Sequence, residues 1–230
     1  MSLLLNLETA TSVCSVALAE NGSVLAFREI PEGRRHADLI TIFIQECMQE
    51  AGRTLQELNA IAVSKGPGSY TGLRIGVSTA KGLCYTLGIP LIGINTLEIM
   101  AAGKKDVLSD HLLLCPMIDA RRMEVYCALF NAEGHWLKET SADILNADAF
   151  AETLKEKKVH FFGDGAAKCQ ALIAHQANAS FDPQFITSAR FMADISNKEF
   201  NKENFKGEDV AYFEPFYLKD FYSPSHHAGN

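Results

Sequence analysis

Apolar and polar positions along the chain predict the same succession of strands and helices twice. Residues 3–102 alternate and cluster as three strands, a helix, a strand, a helix, a further strand and a short helix, and the pattern of three strands, helix, strand and helix begins again at residue 111. Asn21-Gly22 is typical of a tight hairpin turn. The predicted strands are 3–7, 13–19, 24–30, 60–63, 90–94, 111–118, 123–130, 135–140 and 159–162, and the predicted helices are 36–51, 71–88, 96–102, 148–157, 166–176 and 188–197.

The repeated βββαβα order predicts an α/β protein of two lobes. By analogy of fold, this arrangement is that of the actin/hexokinase/Hsp70 superfamily of ATPase domains, although a fold does not fix a function. The polar stretch Gly103-Lys104-Lys105-Asp106 suggests the boundary, with an N-terminal lobe at 1–103 and a C-terminal lobe at 104–222. We expect residues 215–218 to dock onto the fold and residues 223–230 to be disordered.

The stretch 64–88 combines a glycine-rich turn, Gly66-Pro67-Gly68, with a helix that Ser69 or Thr71 could cap. Gly72, Gly76 and Ala80 recur every four residues, and a glycine inside a helix costs on the order of 1 kcal/mol relative to alanine. We therefore expect another backbone to approach this helix closely. The alternative is an anion site at the helix start, but no Lys-Ser/Thr pair follows the turn, and tight packing is favoured.

Composition limits the classes of protein that fit. The formal net charge is −7, which argues against a stand-alone nucleic-acid binder, and 47% of the residues are hydrophobic. The six cysteines are scattered without a CxxC pair, so we expect buried free thiols and a reducing compartment. The apolar N-terminal run is too short for a signal peptide and no run is long enough to span a membrane, which predicts a cytoplasmic protein that does not bind membranes.

Five segments together resemble the TsaB (YeaZ) family, and they cover most of the chain in the family's order. The first-strand residue Glu8 stands where the family commonly has Asp, and Met123 stands where a glycine is usual. The segments are LNLETATSVCSVAL at 5–18, HADLI at 36–40, KGPGSYTGLRIGVSTAKGL at 65–83, MIDARRMEVY at 117–126 and EPFYLKDF at 214–221.

The resemblance implies a non-catalytic subunit that supports synthesis of threonylcarbamoyladenosine at position 37 of tRNA. It implies binding to the catalytic subunit TsaD through helices 36–51 and 71–88, association with the ATPase TsaE in a larger complex, indirect contact with tRNA, and a homodimer when the chain is alone. The expected interface residues are His36, Leu39, Ile40, Phe43, Cys47, Gly72, Leu73, Gly76, Val77, Ala80 and Cys84.

Catalytic chemistry is not evident in the sequence. No two histidines have the HxxxH spacing of a helical metal site, so we expect no metal, no catalytic residue and no required cofactor. The alternative function is an independent small-molecule kinase or ATPase, and weak ATP or ADP binding is a further possibility in either case. The nucleotide-binding candidates are Glu8, Thr9 and Thr11 after the first strand and Gly163 and Gly165 before a helix.

A cluster of charged residues lies between two predicted strands of the second half. Asp119, Arg121, Arg122 and Glu124 could form a site for tRNA phosphate or for the partner, because the guanidinium fork matches such groups. The alternative is a local salt-bridge cluster or a hinge between the lobes. This structural alternative, as a salt-bridge cluster or a hinge, is slightly favoured over a binding site.

Overall fold

A computed structural model describes residues 1–31, 36–104 and 112–219. In the first lobe the strand order is β3-β2-β1-β4-β5, with β2 antiparallel to both β1 and β3, and with β4 and β5 parallel to β1. Asn21 and Gly22 have positive φ angles of 51° and 83°, as the predicted hairpin requires. The elements are β1 (Leu3–Glu8), β2 (Cys14–Glu20), β3 (Ser23–Ile30), α1 (His36–Glu50), β4 (Ala60–Gly66), α2 (Tyr70–Leu87), β5 (Leu91–Asn95) and α3 (Thr96–Ala102).

The second lobe repeats this topology, with the strand order β8-β7-β6-β9-β10. The two-lobed α/β fold with βββαβα occurring twice is thereby confirmed. The fifth strand, β10, was not predicted. The elements are β6 (Leu112–Asp119), β7 (Glu124–Phe130), β8 (Trp136–Ile144), α4 (Ala151–Glu156), β9 (Lys158–Phe162), α5 (Ala166–Ile173), β10 (Ala179–Asp182) and α6 (Met192–Phe200).

Helices cover both faces of the first sheet. Helices α1 and α2 pack on one face, and α3 and α6 pack on the other, where Met192 of α6 meets Leu4, Ala62 and Ile94. Helix α6 was predicted to lie within the lobe 104–222, and its packing on the first sheet corrects that expectation. Helix α3 also contacts the second sheet, whose other face is covered by α4 and α5.

Local capping agrees with the predicted helix ends at some positions and not at others. Ser69 is the N-cap of α2 and accepts a hydrogen bond from the backbone N–H of Gly72 at 3.3 Å, while Gly88 ends the helix with a φ of 67°. Helix α3 begins at Thr96, as predicted, and is capped by the preceding Asn95, whose side-chain oxygen accepts from the N–H of Leu97 at 2.9 Å.

Residues 207–219, here called the C-terminal segment, run from the edge of the first sheet to the second lobe. The backbone N–H of Glu208 donates to the carbonyl of Leu91 at 2.8 Å, and the N–H of Phe216 donates to the carbonyl of Lys65 at 2.6 Å. Lys219 forms an ion pair with Glu124 at the start of β7. The predicted docking of 215–218 is seen here, whereas 223–230 lie outside the described residues.

Candidate partner interface

The glycines of α2 face the interior of the first lobe. A Cβ added at Gly72 would lie 2.1 Å from the carbonyl oxygen of Thr9, and one added at Gly76 would lie 2.3 Å from Thr9 Oγ1. The Thr9 hydroxyl donates to the carbonyl of Gly72 at 2.8 Å. The close approach expected of these glycines is present, but the backbone that approaches belongs to the β1–β2 turn of the same chain.

Most of the expected interface residues are buried in the same core, so they cannot form the surface that a partner touches. His36 is also buried, and its Nε2 lies 3.1 Å from the carbonyl oxygens of both Thr11 and Val13, which anchors the start of α1. Only Leu39 and Phe43 are half-buried. The other buried members of the predicted set are Ile40, Cys47, Gly72, Leu73, Gly76, Val77, Ala80 and Cys84.

A groove of about 1000 Å³ lies on the outer side of the same two helices. Its apolar floor includes Met48 of α1 and Leu83 of α2. The rim on α2 consists of small residues at every fourth position, Ser78, Gly82 and Thr86, and nothing lies within 4 Å of a Cβ added at Gly82. The remaining lining residues are Thr41, Ile44, Gln45, Gln49, Arg53, Leu55 and Thr79.

None of the groove residues was in the predicted set, although a signal for them exists in the sequence. Ser78, Gly82 and Thr86 repeat the spacing of Gly72, Gly76 and Ala80 on the other side of α2. Both stripes allow a second backbone or helix to approach closely, and the spacing alone does not say which stripe faces inward.

The Gly66-Pro67-Gly68 turn is also occupied by the chain itself. A Cβ at Gly68 would lie 2.2 Å from the carbonyl of Ala10, and the N–H of Ser69 donates to that carbonyl at 2.6 Å. A Cβ at Gly66, whose φ is 117°, would lie 2.5 Å from the carbonyl of Phe216. These contacts favour the packing interpretation of the turn over an anion site.

The nucleotide-binding candidates of the first lobe, Glu8, Thr9 and Thr11, lie at the end of β1 and in the turn that follows it. Glu8 and Thr9 are completely buried, and Thr11 is half-buried. One carboxylate oxygen of Glu8 accepts from the N–H of Ala10 at 2.6 Å, and the other has no hydrogen-bond partner among the described residues. Burial raises the pKa of Glu8 to about 7, against the weaker opposing effects of Ala10, Ser64 and Thr187.

The candidates of the second lobe, Gly163 and Gly165, are packed against β6. The N–H of Gly163 donates to the carbonyl of Asp182, and the N–H of Gly165 donates to that of Met117, both at 3.1 Å. These two donors, which would cradle a phosphate in the predicted site, are therefore engaged.

The charged cluster between β6 and β7 is paired differently from the predicted salt-bridge arrangement. Lys168 of α5 donates to Asp119 at 2.6 Å, and Lys219 of the C-terminal segment pairs with Glu124. Arg121 and Arg122 are exposed, and neither makes an ion pair within the described parts of the chain. The carboxylates at this strand end are therefore engaged in ion pairs, but with lysines from other parts of the chain and not with the two arginines.

Several further sequence expectations can be compared with the structure. All six cysteines are free and buried, as predicted. Over residues 1–31, 36–104 and 112–219, no group of three His, Cys, Asp or Glu side chains is arranged to hold a metal ion. Within the same ranges, every helix is too short or too polar to cross a lipid bilayer.

The repeated topology and the groove define a class: a two-lobed α/β protein of the actin-like architecture, with an open helical surface on its first lobe. Residues 30–220 match the family model described as TsaD: tRNA N6-adenosine threonylcarbamoyltransferase. The tRNA threonylcarbamoyladenosine biosynthesis protein TsaB of Escherichia coli is 36% identical over 155 residues, which is 66% of either chain.

Other relatives extend the match over the whole chain. TsaB of Buchnera aphidicola (from Acyrthosiphon pisum) is 30% identical over 68% of this chain and 71% of its own, and TsaB of Haemophilus influenzae is 27% identical over 94% and 93%. The solved structure of YeaZ from Pseudomonas aeruginosa superimposes with a TM-score of 0.80 and 26% identity, over 95% of this chain and all of that one. The chain belongs to the TsaB (YeaZ) family.

Proposed function

We propose that this chain is a non-catalytic subunit in the synthesis of threonylcarbamoyladenosine in tRNA, and that it binds a TsaD-type catalytic subunit through the α1/α2 groove. The family membership and the names of the relatives support the pathway. The single observation that carries the binding site is the outward groove with its apolar floor and its small-residue rim on α2.

The shape of the groove suits a pair of helices from another polypeptide. Ser78, Gly82 and Thr86 leave room for close approach, because small side chains shorten the distance between helix axes. Met48 and Leu83 would then be removed from water, which favours association. Ile42, a large apolar residue of α1 with 46% of its surface exposed, would be covered if the partner extends beyond the groove.

The substitution Gly82→Trp tests the groove directly. A side chain at Gly82 meets open space within this chain, so we expect the variant to fold. The indole would occupy the space meant for the partner helix, so we expect at least a tenfold loss of affinity for the TsaD-type subunit, on the order of 1.4 kcal/mol or more. Titration calorimetry of the two purified proteins measures this affinity.

The matched control is Ala171→Trp, which places the same side chain on the exposed surface of α5 in the other lobe. It should bind the TsaD-type subunit as the unmodified chain does. If Gly82→Trp also binds with unchanged affinity while folding normally, the groove is not the interface.

We propose that the same groove forms a homodimer when the chain is alone and that a TsaE-type ATPase joins the larger complex. Light scattering of the chain should give the mass of a dimer, and the Gly82→Trp variant should give that of a monomer. Addition of a TsaD-type subunit should replace the homodimer by a heterodimer, because both partners compete for one surface.

The alternative of an independent kinase is less well supported, because Glu8 and Thr9 are completely buried. Weak binding of ATP or ADP stays a prediction, with Glu8, Thr9, Thr11, Gly163 and Gly165 as its candidates. Turnover of ATP by the purified chain alone, abolished in Glu8→Ala, would favour the kinase. Tight binding of nucleotide only after the TsaD-type subunit is added would indicate a site shared between the two proteins.

A further inference from the structure

The turn between β6 and β7 presents two arginines whose charges are not compensated. The neighbouring carboxylates are already paired, because Asp119 accepts from Lys168 at 2.6 Å and Glu124 pairs with Lys219. Arg121 and Arg122 are exposed, and within the described ranges no carboxylate lies within ion-pair distance of either guanidinium. The two lysines therefore leave the arginines available to an external ligand.

The backbone holds both arginines in the left-handed region. Their φ angles are 70° and 48°, a conformation that is unfavourable for residues with a Cβ. The turn is held by the N–H of Arg121, which donates to Asp119 Oδ1 at 2.6 Å, and by the N–H of Glu124, which donates to the carbonyl of Arg121 at 3.2 Å. Glycine would satisfy this backbone with less strain, so the guanidinium groups call for another explanation.

An aromatic pair is formed by the start of α2 and the C-terminal segment. The rings of Tyr70 and Tyr217 are 5.1 Å apart, and the guanidinium of Arg74 lies 4.2 Å from the centroid of the Tyr70 ring. Arg74 Nε also donates to the hydroxyl of Tyr217 at 3.2 Å. Planar aromatic and guanidinium groups of this kind provide faces on which an unpaired base can stack.

The C-terminal segment connects these two groups. Tyr217 is two residues from Lys219, Lys219 pairs with Glu124, and the N–H of Glu124 is bonded to the carbonyl of Arg121. Two residues of extended chain span roughly 7 Å, so the C-terminal segment links the tyrosine pair to the arginine turn through the ion pair of Lys219 with Glu124. We call Tyr70, Arg74, Arg121, Arg122 and Tyr217 the Arg–Tyr surface.

We propose that the Arg–Tyr surface binds unpaired nucleotides of the tRNA substrate, with Arg121 and Arg122 on phosphates and Tyr217 stacked against a base. The inference rests on the proposed function, which supplies the RNA. The chain carries a formal net charge of −7, and the uncompensated pair of arginines supplies a local positive charge that would attract the phosphates of RNA. The planar fork of a guanidinium matches the geometry of a phosphate.

The test uses the assembled proteins, namely this chain, a TsaD-type subunit and the other components, with an unmodified tRNA transcript as the probe. Filter binding at two salt concentrations gives the dissociation constant and its salt dependence. In the double variant Arg121→Gln/Arg122→Gln we expect affinity to fall at least about tenfold, and the slope of log K against log salt to decrease by about 1.4, for two contacts to single-stranded phosphates.

Two further sets of variants separate RNA contact from effects on folding. Arg121→Gly/Arg122→Gly relieves the left-handed backbone, so thermal stability should be unchanged or higher while affinity for tRNA falls as in the Gln variant. Tyr217→Ala should weaken binding about tenfold, whereas Tyr217→Phe keeps the stacking face and should bind as the unmodified chain does. The charge control Lys155→Gln/Lys198→Gln alters exposed lysines outside the surface and should leave affinity unchanged.

Two outcomes overturn the proposal. The first is unchanged tRNA affinity in the Arg121/Arg122 variants. The second is that these variants lose association with the TsaD-type subunit, measured by light scattering without RNA, because the surface would then bind a protein. Failure of the unmodified assembly to produce threonylcarbamoyladenosine would instead overturn the proposed function itself, so the two failures are distinguishable.

Discussion

Buried polar residues after β1 hold the first lobe in its folded form. Glu8, at the end of β1, is completely buried and accepts a hydrogen bond from the N–H of Ala10. Thr9 is fixed to α2 through the carbonyl of Gly72. Burying an ionised carboxylate is costly, so below pH 7 the folded chain holds Glu8 mainly as the neutral acid.

The raised pKa of Glu8 predicts a specific dependence of stability on pH. The folded value is about 7 against an ordinary 4.5, so below pH 4.5 the carboxyl is protonated in both states. Between pH 4.5 and 7 the unfolded chain loses the proton first, and stability therefore falls as pH rises, by on the order of 3 kcal/mol in total. Above pH 7 the carboxyl is ionised in both states, and the contribution of Glu8 to stability no longer changes with pH.

Urea denaturation of the unmodified chain and of Glu8→Gln at pH 5, 6, 7 and 8 measures this effect. Other carboxylates titrate in both proteins, so the difference between the two free energies of unfolding isolates Glu8. The variant should gain relative stability as pH rises. A difference that stays constant across this range would show that Glu8 is ionised in the folded chain.

Helix α2 shows most clearly which features the sequence can predict. Its ends, its Ser69 cap and its apolar stripe follow from periodicity and capping chemistry, and its glycines correctly signal close packing. Which of the two small-residue stripes faces the core could not be predicted from their spacing, because both repeat every four residues. Only the fold brings Thr9 against Gly72 and leaves Gly82 open.

Matched glycine substitutions test this assignment of the two faces. Gly72→Ala places a Cβ 2.1 Å from the Thr9 carbonyl, so it should destabilise the chain by at least about 1–3 kcal/mol. Gly82→Ala meets open space in the helix and should stabilise by about 0.5–1 kcal/mol, because alanine is the better helix former. Thermal unfolding of the two variants compares them. Equal effects would mean that the inward and outward faces are wrongly assigned.

Other elements were missed or misplaced for reasons that are physical. Strand β10 has only four residues, none of them buried, so it lacks the apolar signal of its neighbours. Helix α6 follows the second sheet in sequence but packs on the first, and no local pattern encodes which sheet a late helix will cover. The pairing of Asp119 and Glu124 with distant lysines likewise depends on the tertiary fold.

At the scale of the whole molecule, α3 and the last parts of the chain connect the two lobes. Helix α3 contributes side chains to a core that it shares with the second sheet, and α6 closes the outer face of the first. The C-terminal segment lies along β5 and α2, and Lys81 of α2 donates to the carbonyl of Phe213 at 2.8 Å. The segment then reaches β7 through the ion pair of Lys219 with Glu124. The groove on α1 and α2 and the Arg–Tyr surface therefore belong to one continuous framework.

Phe213 is the residue through which the C-terminal segment is anchored, and its removal should loosen the whole segment. Its ring lies against Gly93, so closely that a Cβ added at Gly93 would lie 2.7 Å from the Phe213 ring. The neighbouring Tyr212, by contrast, is 84% exposed. We expect Phe213→Ala to lower stability by about 2–3 kcal/mol, somewhat less than for a fully buried phenylalanine, and Tyr212→Ala to have almost no effect.

In the Phe213→Ala variant, hydrogen exchange should accelerate at the backbone N–H groups of Glu208 and Phe216, which donate to Leu91 and Lys65, but not within β9. Exchange that accelerates equally in β9 would contradict this prediction. The segment would then stabilise both lobes and not only its own attachment to the first, with Lys219 transmitting the loss of stability to the second sheet.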